Sequence, residues 1–155
     1  TGSLGQGLSI GNGMALAARL DNLKYRVFVL MGDGELQEGQ VWEAAMTAAK
    51  YKITNLTAIV DYNKLAQDSF TKDLKNLEPL KDKWETFGWK VIRIDGHDMK
   101  QVVKALKSKA HSEKPRIIIA DTVKGKGVSF MENNQSWHGV APKDEDYQKA
   151  LEELL

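Results

Sequence analysis

Val27-Phe28-Val29-Leu30-Met31 runs directly into Gly32-Asp33-Gly34, and Leu56-Thr57-Ala58-Ile59-Val60 runs into Asp61-Tyr62-Asn63. Unbroken apolar runs of this length are the pattern of strands covered on both faces. Two parallel strands of this kind bring their polar ends to one edge of a sheet, where ligands of open α/β folds bind. Asp33 then offers a carboxylate oxygen. Asn63, read as two residues past the second strand, offers an amide oxygen. The turn Tyr62–Leu65 adds a main-chain carbonyl, best placed at Leu65. Magnesium takes near-octahedral oxygen ligands at about 2.0–2.1 Å, several of them from phosphates. These three groups and two phosphate oxygens nearly complete such a shell. Asp-Gly and Tyr-Asn-Lys are also ordinary turn chemistry; the strand context and the interval between the two sites favour the cation.

The flanking segments continue the alternation. Residues 4–20 read as a helix with Leu8, Met14, Leu16, Ala17 and Leu20 as apolar positions. Gly5, Gly7, Gly11 and Gly13 lie in its first part, and each glycine inside a helix costs on the order of 1 kcal/mol against alanine. Two readings fit: something approaches the backbone closely, or a glycine-rich loop precedes a helix from about Asn12. Tyr25–Met31 is the first strand. A helix spans Glu38 to Lys52, with Glu35 and Glu38 near its start, where negative charge suits the dipole. Leu56–Val60 is the second strand and 64–73 a polar loop. Leu74 to Phe87 is a helix broken early by Pro79 and closed by Gly88. Trp89–Ile94 is the third strand. Met99–His111 is a helix capped by Asp98. Arg116–Asp121 is the fourth strand, 123–143 has no period, and Asp144–Leu154 is a closing helix. The fold class is α/β: a doubly wound, mostly parallel sheet with helices on both faces. Residues 1–155 form one domain. The chain opens on Thr1-Gly2-Ser3 without an initiator Met, and is read as a fragment of something longer.

Composition narrows the classes. The 155 residues allow one domain with a real core, and 42% hydrophobic with 28% charged is ordinary for a globular protein. The net charge of +1 gives no broad field for nucleic acid or an anionic membrane. The absence of cysteine excludes disulfides and thiolate metal sites and fits a reducing compartment such as the cytoplasm. No apolar stretch approaches the roughly 20 residues of a membrane span.

Gly32-Asp33-Gly34 followed at this interval by Asn63 resembles the motif of thiamin diphosphate enzymes. Three strings narrow the resemblance to transketolase: Thr1-Gly2-Ser3-Leu4-Gly5-Gln6-Gly7, Gly32-Asp33-Gly34-Glu35-Leu36-Gln37-Glu38-Gly39, and Lys124-Gly125-Lys126-Gly127 with Trp137-His138-Gly139 downstream. They agree in order from residue 1 to about 143. The short format is similar to the amino-terminal subunit of a split transketolase, the diphosphate-binding half.

The resemblance implies a cofactor, thiamin diphosphate, with Mg2+ or Ca2+. It implies metal ligands at Asp33, Asn63 and the Leu65 carbonyl. Gly34 matches a backbone contact to the diphosphate, with Gly32 and Glu35 completing that turn. Gly2 and Leu4 match the segment against the cofactor's rings. His138 matches a histidine near the diphosphate that also reaches the substrate, and Lys124 a lysine beside it. Glu38, read as catalytic with His138, and Glu43 match interface acids that link paired sites. His138 and Lys124 fall on the long unpatterned stretch, and such loops in compact domains are usually functional or disordered. His97 reads as a turn residue and His111 as solvent-facing.

The activity implied is transfer of a two-carbon ketol unit from a ketose phosphate to an aldose phosphate, as in the pentose phosphate pathway. The family's glutamate on the aminopyrimidine belongs to a second domain that nothing here matches. The chain is therefore expected to be inactive alone. Its expected partner is a carboxy-terminal, pyrimidine-binding subunit, in a homodimer or heterotetramer. Three other readings fit parts of the sequence: another thiamin enzyme, a truncated or engineered module that only binds the diphosphate, and a magnesium-dependent phosphohydrolase. The last fits poorly, because Asp33 is followed by Gly34-Glu35 rather than a second acid beside a nucleophile.

Overall fold

Strands β1 (Val27–Gly32), β2 (Leu56–Tyr62), β3 (Lys90–Asp95) and β4 (Arg116–Asp121) form one parallel sheet in the order β1-β2-β4-β3. The computed structural model describes residues 2–108 and 113–155. The register sets Val27 opposite Leu56, Thr57 opposite Arg116, and Lys90 opposite Arg116. All four carboxyl ends therefore meet at one edge. The order departs from the chain sequence between β2 and β3, so the crossover leaves the edges of β2 and β4 adjacent where the site forms.

The helices α1 (Gln6–Leu20), α2 (Gly39–Lys50), α3 (Thr71–Leu74), α4 (Leu80–Thr86), α5 (Met99–Lys107) and α6 (Asp144–Leu154) alternate with the strands. One face of the sheet packs Val27, Val29, Met31, Leu56, Ala58, Val60, Ile117 and Ile119 against α1, α2 and α4. Trp84 and Trp89 are buried here, edge to face with centroids 5.0 Å apart, and the Trp89 indole N–H donates to the Ala45 carbonyl at 3.0 Å. The other face carries α5, tied to β1 by the Arg26 guanidinium donating to the Leu106 carbonyl.

Several expectations are refined. The first helix begins at Gln6, so the long-helix reading holds, and what approaches its glycines is β1. A Cβ on Gly11 would lie 2.5 Å from a Val29 methyl, and one on Gly7 3.3 Å from Val29. Gly13 faces open space. The strand β1 is covered on one face alone: Phe28 is 45% and Leu30 71% exposed. Its apolar run predicts burial on both faces, but β1 is the edge strand and α5 lies over β3. The helix predicted over 74–87 is formed only past Pro79, as α4, while α3 falls mostly within 64–73, the stretch read as a loop. The strand β2 extends to Tyr62, so Asn63 is the first residue after it rather than the second. The helix predicted to His111 is observed to Lys107; residues 109–112, His111 included, and Thr1 lie outside the described residues. The segment 123–143 holds one short 3-10 turn, Gln135–Trp137. No described helix is long and apolar enough to cross a membrane.

Candidate active site

At the carboxyl edge, Gly32 stands opposite Asp61, and Asp61 opposite Ala120. Asp33 follows β1 at once. Its N–H donates to the Asp61 carbonyl at 3.2 Å, which continues the ladder one residue beyond the strand. The chain then turns into a 3-10 segment, Gly34–Gln37, with Asp33 as its N-cap. One Asp33 carboxylate oxygen accepts the Gly34 N–H at 2.9 Å, and the other accepts the Lys64 N–H at 2.6 Å. The second bond joins the turn after β1 to the turn after β2. Lys64 adopts a left-handed backbone, φ 65, a conformation costly for a residue with a Cβ.

Asn63 folds over this turn. Its Oδ1 accepts the Leu65 N–H at 2.9 Å, an Asx turn. Its Nδ2 donates to Asp61 at 3.3 Å. The second Asp61 oxygen accepts the hydroxyl of Thr122, just past β4. Leu65 is buried and pairs across the loop with Phe70.

Asp33 is 1% exposed. Burial pushes its carboxyl up to about 6, against the two main-chain N–H groups that favour the ion, and the nearby Asp61 carboxylate pushes in the same direction as burial. Among the described residues it forms no ion pair. A buried carboxylate held only by main-chain dipoles is a donor that a divalent cation completes, since the cation supplies the missing positive charge. Beside it stand the Asn63 amide and the Leu65 main chain, a set of neutral oxygens with one carboxylate that suits magnesium or calcium. No three His, Cys, Asp or Glu side chains among the described residues converge as a zinc site requires.

A cavity of about 430 Å³ opens beside this edge, on the α5 face of the sheet. Its polar end is Asp61, Asn63, His97, Thr122 and Lys124; its apolar wall includes Ile59, Ile94 and Ile118. The His97 Nε2 accepts the Val123 N–H at 2.8 Å, which fixes the start of the loop bearing Lys124. The turn expected at His97 is present, and its own N–H bonds the Asp95 carboxylate there. Its ring, however, belongs to the cavity.

Glu35 makes a second link. Its carboxylate accepts the N–H of Gly5, 30 positions away, at 2.9 Å. The glycine-rich start, with Gly2 and Leu4 exposed on it, is thereby tied to the turn after β1. Gly5 is left-handed at φ 81 and crowds Glu38, so a side chain there is disfavoured twice over. Glu38, the N-cap of α2, and Glu43 on α2 are exposed.

The structure thus brings Gly32, Asp33, Gly34, Asn63, Leu65 and Lys124 to one edge, and ties Gly2, Leu4, Glu35 and Glu38 beside it. His138 is exposed, after the 3-10 turn, and does not line the cavity. Asp61, Thr122 and His97 carry bonds at the edge, although the sequence motifs give them no role. For Asp61 and Thr122 a signal exists in the period-2 register that aims both at the same face.

Residues 1–154 match the family described as transketolase, thiamine diphosphate binding domain. The chain belongs to the transketolase family. It is 48% identical over 154 residues to an apulose-4-phosphate transketolase subunit of Actinobacillus succinogenes, covering 99% of this chain and 56% of that protein. It is 44% identical over 155 residues to the protein of the same name from Phocaeicola vulgatus, covering 99% and 55%. Among solved structures, Campylobacter jejuni transketolase superposes with a TM-score of 0.91 at 34% identity over 97% of this chain and 25% of that one. The chain thus spans about half the length of the two apulose-4-phosphate transketolase relatives. The α/β sheet and the thiamine diphosphate binding family are those the motifs imply.

Proposed function

We propose that this chain is the diphosphate- and metal-binding half of a split transketolase, working with a pyrimidine-binding partner chain. The observation that carries it is the buried Asp33 carboxylate bonded to the Lys64 N–H, which unites the Gly32-Asp33-Gly34 turn with the Asn63 turn. Relatives named as one subunit of a transketolase support the division of labour.

Asp33, Asn63 and the Leu65 carbonyl hold Mg2+, or Ca2+ in its place, against the diphosphate of thiamin diphosphate. Bound there, the cofactor supplies the electron sink for C–C cleavage and ketol transfer. The residues of this chain bind and orient. Gly32 and Gly34 let the main chain approach the anion closely, and Glu35 holds the glycine-rich start so that Gly2 and Leu4 lie beside the cofactor. Lys124 offsets phosphate charge. His138, exposed and outside the cavity of this chain, hydrogen-bonds the substrate or passes it a proton in the assembled complex, a role that rests on the family motif. Glu38 and Glu43, both exposed, face the paired subunit in a homodimer or heterotetramer. The substrates are sugar phosphates. Apulose-4-phosphate, named for the relatives, is one donor to include in a panel.

The test combines a melting curve and an assay. Mg2+ with thiamin diphosphate should raise the melting temperature of the chain and partner together, and Mg2+ with ATP should not. Ketol transfer should need both chains. Robust turnover by this chain alone, or equal stabilisation by ATP, would refute the reading.

A further inference from the structure

Asp61 lies at the centre of the edge yet has no task in the scheme above. It is in register with Gly32 on one side and Ala120 on the other, and its carbonyl receives the Asp33 N–H. Its two carboxylate oxygens take donors from two elements: the Thr122 hydroxyl on one and the Asn63 amide N–H on the other. A carboxylate is acceptor-only, so the Asn63 side chain can meet it through its NH2 end alone. That fixes the amide. Its oxygen is turned away from Asp61 and accepts the Leu65 N–H with one lone pair, which leaves the second for another partner. Thr122, itself anchored by its N–H to the Tyr62 carbonyl at 3.2 Å, holds the carboxylate in that pose.

We infer that Asp61 is a positioning residue: with Thr122 it orients the Asn63 amide so that the oxygen, not the nitrogen, faces the cation. This rests on the functional reading above. It assigns Asp61 to the layer behind the metal ligands, where outer partners orient ligands and their loss costs about 10- to 100-fold in metal affinity. An unheld amide rotates between two near-isosteric poses, one of which presents N–H groups to a cation.

The test uses the complex with its partner chain and titrates Mg2+ at saturating thiamin diphosphate by calorimetry, with Mn2+ in place of Mg2+ for an electron paramagnetic resonance readout of the bound ion. Asp61→Asn should weaken metal binding by about 10- to 100-fold. Thr122→Val removes only the hydroxyl donor and should weaken it by a smaller factor in the same direction. The double variant should lose no more than Asp61→Asn alone, because both act through one amide. Asp33→Asn, which removes a ligand charge, should abolish binding.

Three results overturn the inference alone: Asp61→Asn and Thr122→Val both within twofold of wild type, losses that simply add, or Asp61→Asn as complete a loss as Asp33→Asn, which makes Asp61 a ligand. If Asp61→Asn does not fold, Thr122→Val decides: unchanged affinity overturns it. A wild-type complex that binds neither Mg2+ nor Mn2+ with thiamin diphosphate overturns the functional reading, and this inference with it.

Discussion

The Lys64 N–H donates to the Asp33 carboxylate at 2.6 Å, across 31 positions of chain and two strands of the sheet. One bond therefore couples the geometry of both turns. Either turn alone is a common local motif. Joined, they set the buried Asp33 carboxylate one residue from Asn63, whose amide oxygen accepts the Leu65 N–H.

Asp33 should leave a pH signature. Folded Asp33 keeps its proton up to about pH 6, whereas the unfolded chain loses it near 4. The folded state therefore binds more protons in that window, and this residue destabilises the metal-free protein progressively as pH rises through it, by roughly 3 kcal/mol in all. Denaturant unfolding of wild type against Asp33→Ala should show a stability difference that changes between about pH 4 and 6 and is flat above. Metal binding needs the ion, so Mg2+ affinity should fall about tenfold per pH unit below 6.

Gly11 and Gly13 are two positions apart in α1 and should respond oppositely. A valine at position 11 would press on Val29 and lift the helix from β1, so Gly11→Val should cost about 1–3 kcal/mol or more. Gly13 faces open space, and Gly13→Ala should stabilise the isolated chain by up to about 1 kcal/mol. Urea midpoints report both.

Trp84, fully buried between Trp42 and Trp89, carries the packing beneath β3. Trp84→Ala should cost about 3–5 kcal/mol. A loss under about 1 kcal/mol would mean that this cluster is not the core described.

His138 separates binding from turnover. Being exposed, it can be replaced without a core penalty. His138→Ala in the complex should leave the melting temperature and Mg2+ affinity nearly unchanged and lower kcat by about 10²- to 10⁴-fold if it handles a proton. Equal rates would remove it from the chemistry.

Much of this is legible in the chain. Arg116–Asp121 and Asp144–Leu154 have the bounds their sequence predicts, because a Pro before the first and acidic residues opening the second mark their starts. The approach of β1 to Gly11 is legible as a need for closeness but not as to its source, since glycine records space and not the neighbour. The open face of β1 is not legible: Phe28 and Leu30 carry an apolar pattern that fits a covered strand, while strand order follows from crossovers. At the site, Asp33 and Asn63 are visible because each follows an apolar strand run that ends at the same sheet edge. The bonds of Asp61, Thr122, Glu35 and His97 are not, because they reach across the fold or close a turn whose shape depends on it.

A crystal structure of the complex with thiamin diphosphate and Mn2+, located by its anomalous signal, would show whether one cation unites the two turns. The ion should lie about 2.0–2.3 Å from an Asp33 carboxylate oxygen, the Asn63 amide oxygen and the Leu65 carbonyl. An ion held elsewhere, or one touching Asp33 while Asn63 points away, would contradict the site.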